Sequence, residues 1–243
     1  MNKKREKQKT LNKKIKKQDI AIEKISKLYQ MATRDPKTGL YNAGFFYNEL
    51  NHEISVSFRY SQPLSLILID IDDFKKKNTD YGYLKADEIL IKLAKIILKN
   101  IRTTDIAARF GGEEFVILLP ETSEEKATVL AERIRNSVLH NIFLKRYKIT
   151  ISLGVSSIIG KANKKNLDEI EDYYKKIKKF ESKKDKDVFS YLRKIDLPES
   201  PKKNKLGEIL FEKANIALKY SKSNGKNKTT IYKDELLKFI KKL

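Results

Sequence analysis

The sequence predicts an α+β fold, with a mainly antiparallel central sheet flanked by helices. Three observations predict it. Two extended runs, Thr104–Phe110 and Glu114–Leu119, are joined through Gly111-Gly112, a β-hairpin pattern in which the glycines are expected to supply the positive φ of a primed turn. Leu64–Ile71 (Leu-Ser-Leu-Ile-Leu-Ile-Asp-Ile) is an apolar run of strand length that ends in acids. Segments with helical apolar spacing alternate with these runs, so a hairpin and helical crossovers share one sheet.

In chain order, residues 1–10 are polar. From Leu11 the apolar positions Leu11, Ile15, Ile22, Ile25 and Tyr29, with Gln18 at the remaining step, alternate spacings of four and three. This is a heptad seam, and residues 1–33 are expected to form a basic helix. About three heptads are marginal alone, so the helix either packs on its own domain or pairs with a second copy. We read it as a dimerising coiled coil. Asp35-Pro36-Lys37-Thr38-Gly39-Leu40 breaks it. A main domain is expected over 34–233. Within it, helices are predicted at 43–60, 84–101, 123–140 and 206–223, with further strands at 147–158 and 229–232. Residues 161–205 are Lys-rich with weak helical stretches, and read as an insertion on the surface of the domain. Residues 234–243 read as a short basic helix.

Composition bounds the partners. The 243 residues contain no cysteine, which excludes disulfides and thiolate metal sites. The basic N-terminus lacks the apolar core of a signal peptide, and no apolar run is long enough to span a bilayer. A soluble cytoplasmic protein is expected. The net charge is +21. Residues 1–30 carry about +8, residues 161–205 and 219–243 about +6 each, and residues 31–160 only about +2. The excess therefore lies outside the part that holds the hairpin. The chain is rich in Lys, Asn and Ile throughout, and few aromatics interleave the basic clusters. We read the charge as compositional and do not expect nucleic acid as a partner. A basic tethering protein remains the alternative, and salt-dependent retention on DNA would mark it.

Residues 110–115, Phe-Gly-Gly-Glu-Glu-Phe, carry the most chemical information. Glycines leave the tip bare, so a ligand can approach the backbone. Adjacent carboxylates at a tip repel unless a cation neutralises them, which a divalent metal does well. The same pattern also occurs as a plain solvated turn, so the rest of the chain decides. Asp70, at the end of the apolar strand, is placed to meet Glu113 across the sheet and share a divalent ion.

With these blocks in place the chain resembles the GGDEF-family diguanylate cyclases, in the Gly-Gly-Glu-Glu-Phe form. The similarity covers Arg34–Ser157 and resumes over Leu206–Tyr232. It implies a ferredoxin-like, nucleotidyl-cyclase-like domain that condenses two GTP to cyclic di-GMP and two pyrophosphates. Each 3′-hydroxyl attacks the α-phosphate of the GTP held by the other subunit of a homodimer. The resemblance assigns Mg²⁺ or Mn²⁺ to Asp70, the Ile71 carbonyl and Glu113. It makes Glu113, Glu114 and Arg109 the catalytic set, with Glu113 acting on the 3′-hydroxyl proton and Arg109 offsetting phosphate charge. Lys75, Lys222 and Lys226 are implied phosphate contacts, Gly111 and Gly112 the bare tip, and Asn78 and Asp87 the guanine contacts. Arg102, Asp105 and Arg133 match an inhibitory site for product cyclic di-GMP. Tyr83 stands where the family has His, Ala86 where it has Gly, Ala43 where it has Arg, and Lys226 where it has Arg. The departures at Tyr83, Ala86 and Lys226 leave open a second reading, a module that binds GTP or cyclic di-GMP without turnover.

Overall fold

The computed structural model describes residues 2–159 and 205–236. Its elements are α1 (Asn2–Thr33), β1 (Tyr41–Asn42), α2 (Ala43–Tyr60), β2 (Pro63–Ile71), α3 (Phe74–Tyr81), α4 (Tyr83–Asn100), β3 (Ile106–Arg109), β4 (Glu114–Pro120), α5 (Glu124–Leu139), α6 (Ile142–Arg146), β5 (Ile151–Ile159), α7 (Lys205–Ser223) and β6 (Thr229–Ile231), followed by a 3₁₀ turn at Asp234–Leu236. Six strands form one sheet in the order β1-β3-β4-β2-β5-β6. The three central pairings are antiparallel, while β1 with β3 and β5 with β6 are parallel.

The period of two along β2 divides the core. Ile67, Ile69 and Ile71 face a layer built with Leu90, Leu93 and Ile97 of α4 and Ile134 and Val138 of α5. Leu64, Leu66 and Leu68 face the opposite layer with Phe46, Leu50 and Ile54 of α2 and Leu210 and Phe211 of α7. Burying each such side chain contributes roughly 1.5–3 kcal/mol, so α2, α4, α5 and α7 are held by their apolar faces. Asp70 continues the Leu66–Leu68 series and so points to the α2/α7 side at the end of the sheet.

Gly154 on β5 shows how closely α7 is applied. A Cβ there would lie 2.0 Å from the Ala214 carbonyl and 2.4 Å from the Leu218 nitrogen. Ser156 Oγ donates to the Leu210 carbonyl at 2.6 Å, and Ser221 Oγ to the Leu153 carbonyl at 2.8 Å. Helix and strand therefore pack backbone against backbone and are tied by serine hydroxyls. Asn42 caps α2 by accepting from the Phe45 amide, and its amide group donates to Ala32 in α1 at 2.8 Å.

Several expectations change. Tyr147 does not begin a strand: Asn141 caps the short helix α6, Lys148 turns with φ +50°, and β5 starts at Ile151. β1 and α3 were not anticipated, since one is two residues long and the other buries only Phe74. Gly111 and Gly112 do not form a two-residue turn with positive φ. The connection is Phe110–Glu113, closed by the Phe110 and Gly111 amides on the Glu114 carbonyl at 2.8 and 3.4 Å. The expected surface insertion, apart from Lys205 at the start of α7, and most of the C-terminal basic helix lie outside the described residues. Among the described residues no helix is long and apolar enough to cross a membrane.

Candidate active site

The register of the sheet assembles the acidic cluster. Asp70 on β2 sits directly opposite Glu114 on β4, and on its other side opposite Ser152 on β5. One residue on, the Ile71 amide donates to the Glu113 carbonyl at 3.4 Å. Residues from the strand end and the hairpin mouth thus become neighbours across the β2–β4 pairing. Asp70 is 5% exposed. Its carboxyl is pushed up to about 6, first by burial and further by the charges of Glu113 and Glu114, against the opposing pull of Lys222. Glu114 is raised for the same reasons, burial foremost.

Lys222 on α7 reaches Asp70 with Nζ 2.5 Å from Oδ1. Its ammonium is the cation that offsets this buried carboxylate. The donor set Asp70, Glu113 and Glu114 is all hard oxygen, which suits Mg²⁺ or Mn²⁺. The raised Asp70 carboxyl beside two further acids fits a divalent ion, because added positive charge relieves that cost. The three carboxylates do not gather as tightly as Glu49, His52 and Glu53 on α2, whose ligand atoms lie within 4.8 Å of one another.

The hairpin is fixed from two directions. Arg109 Nη2 donates to the Gly112 carbonyl at 2.7 Å, and Nη1 pairs with Asp35 at 3.3 Å. Burial alone would raise the Asp35 carboxyl, but bonds from the Thr38 hydroxyl and amide and the Arg109 guanidinium hold it below the usual carboxylate range. Arg109, expected to face phosphate, here spends its planar fork on positioning the tip. A Cβ at Gly111 would lie 2.7 Å from Glu114 Oε2 and displace that carboxylate, whereas Gly112 faces open space.

The loop after β2 is held by Asp72, which sequence reading passed over. Its carboxylate accepts from Thr150 Oγ1 at 2.7 Å, Ser152 Oγ at 2.6 Å and the Asn227 amide at 3.0 Å. Asp73, with φ +55°, accepts from Lys226 Nζ at 2.6 Å. Arg135 anchors the other end by donating to Asn227 Oδ1 at 2.9 Å. Lys222 and Lys226 are thereby brought to the same edge as Asp70, and Lys75 is exposed on α3.

The two base-contact candidates lie on adjacent helices, Asn78 on α3 and Asp87 on α4. Asn78 Oδ1 is buried without a hydrogen-bond partner, an orphan that a ligand donor would satisfy. Asp87 is ion-paired with Lys37 from the turn after α1. Ala86 is packed at 3% exposure, whereas Tyr83 turns to solvent at 81%.

At the far end of the β3–β4 hairpin, a cleft of about 400 Å³ is lined by Arg102, Asp105 and Arg133 together with Asn100, Leu119 and Lys126. The Arg102 amide donates to Asp105 Oδ2 at 2.8 Å. Arg133 is held by Asn100, through Nε to Oδ1 at 3.1 Å and Nη2 to the carbonyl at 2.6 Å. Burial raises the Asp105 carboxyl, and the Arg102 amide and charge partly offset that. The three residues singled out from sequence therefore share one cavity.

The family model described as "Diguanylate cyclase, GGDEF domain" matches residues 32–186. Diguanylate cyclase A of Treponema denticola is 41% identical over 138 residues, 54% of this chain and 37% of that protein. The response regulator PleD of Caulobacter vibrioides is 36% identical over 139 residues, 55% of this chain and 31% of that protein. The chain thus spans about a third of the length of these curated relatives. Among solved structures, the active GGEEF domain of a diguanylate cyclase from Vibrio cholerae aligns with a TM-score of 0.58 at 28% identity, covering 79% of this chain and 97% of that one. The coiled coil and GGDEF domain of DgcB from Caulobacter crescentus, solved in complex with c-di-GMP, shares the fold with a TM-score of 0.66 at 22% identity, covering 91% and 96%.

Proposed function

The chain belongs to the diguanylate cyclase GGDEF-domain family, and from that premise we propose that it condenses two GTP into cyclic di-GMP in the cytoplasm. Each half-reaction forms a bond from a ribose 3′-oxygen to the α-phosphorus of the facing GTP and breaks the bond to its pyrophosphate. Two such steps close the ring and release two pyrophosphates.

One observation carries this reading: β2 sets Asp70 opposite Glu114 at the hairpin mouth, with Glu113 one position on and its charge acting on Asp70, at the sheet edge that Lys222 reaches. Asp70, Glu113 and the Ile71 carbonyl would hold Mg²⁺ or Mn²⁺. Such an ion supplies charge neutralisation for a phosphoryl group and its leaving group. Lys75, Lys222 and Lys226 neutralise the triphosphate, and engaging it exchanges the Lys222–Asp70 and Lys226–Asp73 pairs for phosphate. Asn78 and Asp87 accept from the guanine edge. Glu113 takes the hydrogen bond of the attacking 3′-hydroxyl, and Glu114, opposite Asp70, keeps the site acidic. Arg109 holds the hairpin so that these distances persist. One subunit presents one GTP, so the reaction needs two copies. The exposed Ile22, Ile25, Leu28 and Tyr29 on α1 supply an apolar stripe for pairing. The cleft at Arg102, Asp105 and Arg133 is assigned to product inhibition, since guanidinium groups suit both phosphate and the guanine O6/N7 edge.

Purified chain incubated with GTP and Mg²⁺ should yield cyclic di-GMP by chromatography, and Glu113→Gln should abolish it with the fold intact. The same cleft also favours a second reading, a cyclic di-GMP receptor. Labelled cyclic di-GMP retained by a chain that forms none at high protein concentration would establish that reading instead.

A further inference from the structure

We infer that Lys37 is a third base-reading residue, donating a charged hydrogen bond to the O6 of a guanine held by Asp87 and Asn78. This rests on the assignment of those two residues to the base. Lys37 lies 50 positions from Asp87 in sequence, in the turn between α1 and β1, yet its ammonium pairs with Asp87 Oδ1. The turn that carries it is built firmly. The Asp35 amide donates to the Leu40 carbonyl at 2.8 Å, the Gly39 amide to the Asp35 carbonyl at 2.9 Å, and the Thr38 hydroxyl to Asp35 Oδ1 at 2.6 Å. Both side chains of the Lys37–Asp87 pair remain about a third exposed, at 37% and 38%, so a ligand can reach them.

The chemistry follows from the edge of the base. Guanine presents N1–H and the N2 amine as donors and O6 as an acceptor beside N1. Of the two groups already assigned, the Asp87 carboxylate answers the donors, and Asn78 has a buried Oδ1 that lacks a partner; its neutral amide can also donate, but neither group brings a charged donor to O6. The carboxylate oxygen that takes N1–H has O6 as its next neighbour along the edge. An ammonium has three donors and Asp87 uses one of them, which leaves others for O6. Adenine would turn its 6-amine toward the same ammonium, donor against donor. Lys37 thus adds rejection of adenine as well as attraction for guanine.

The test is calorimetric titration of the full chain with Mg²⁺ and the non-reactive α,β-methylene analogues of GTP, ITP, 6-thioguanosine triphosphate and ATP. The thio analogue keeps N1–H and the N2 amine but replaces O6 by a poor acceptor, while ITP lacks only the N2 amine. Wild type should prefer the GTP analogue over its 6-thio counterpart roughly tenfold, the scale of one charged hydrogen bond. Lys37→Met should erase that preference and keep the GTP-to-ITP ratio, and Lys37→Arg should restore part of it. A Lys37→Met protein that still distinguishes oxygen from sulfur overturns the inference alone. So does one that loses both ratios together, since Asp87 has then merely moved. Wild type that binds the guanine and adenine analogues equally overturns the base assignment of Asn78 and Asp87, and the role of Lys37 with it.

Discussion

The two ends of the β3–β4 hairpin solve different electrostatic problems. At the closed end four charged pairs form within the chain, Asp70 with Lys222, Asp73 with Lys226, Asp87 with Lys37 and Arg109 with Asp35, beside the further acids Glu113 and Glu114. At the open end Arg102, Asp105 and Arg133 border a ready cleft, and Arg102 is exposed. A ligand at the closed end must exchange partners, and the proposed GTP with a divalent ion would bring both the anions and the cation needed for that exchange. A ligand at the open end enters a space that already exists. The first arrangement suits chemistry on a substrate that neutralises the site as it arrives, and the second suits recognition of a finished, flat product.

The largest effect is expected at the closed end. Glu113→Gln should lower cyclic di-GMP formation by at least about a hundredfold, while calorimetry shows product binding at the open end unchanged; equal loss at both ends would erase the distinction. Two glycines sharpen it further. Gly154→Ala drives a methyl into the Ala214 carbonyl and should cost about 3 kcal/mol in urea unfolding. Gly111→Ala meets only the mobile end of Glu114, so stability should change by less than about 1 kcal/mol while turnover falls roughly tenfold. A Gly111→Ala protein as unstable as Gly154→Ala would mean that the tip is structural. At the open end, Arg102→Ala should raise the dissociation constant for cyclic di-GMP roughly tenfold, the loss of one charged contact. The smallest effect concerns the support of the hairpin. Asp35→Asn should cost about 1 kcal/mol near pH 7. Because the folded Asp35 carboxyl is depressed, this contribution is present above the unfolded value near about 3.9 and fades as pH falls through the folded one. Urea unfolding of wild type and variant should therefore converge in acid.

Strands β2 to β6, the long helices and the acid that ends β2 were legible because each leaves a local trace: a period of two, a period of 3.6, or an acid ending an apolar run. The register was not legible: the residue opposite Asp70 is Glu114, where Glu113 was expected. Helix α3 left none, since only Phe74 among its eight residues is buried. The role of Gly111 was misread because sequence shows that a residue is small but not what stands beside it. Here the neighbour is Glu114, and backbone freedom is not used. Lys37 and Asp72 were passed over for a related reason. Their partners, Asp87 and Ser152, are 50 and 80 positions away, and only the sheet and its turns make them neighbours.

Helix α7 carries Lys222 to Asp70, and its seat is fixed by Gly154, Ser156 and Ser221 against β5. These fastenings lie inside the elements themselves. The stretch of chain joining β5 to α7 therefore does not set where the lysine arrives. Evolution, or an engineer, is free to lengthen that junction or splice a sensor into it, and the ammonium will still find its carboxylate.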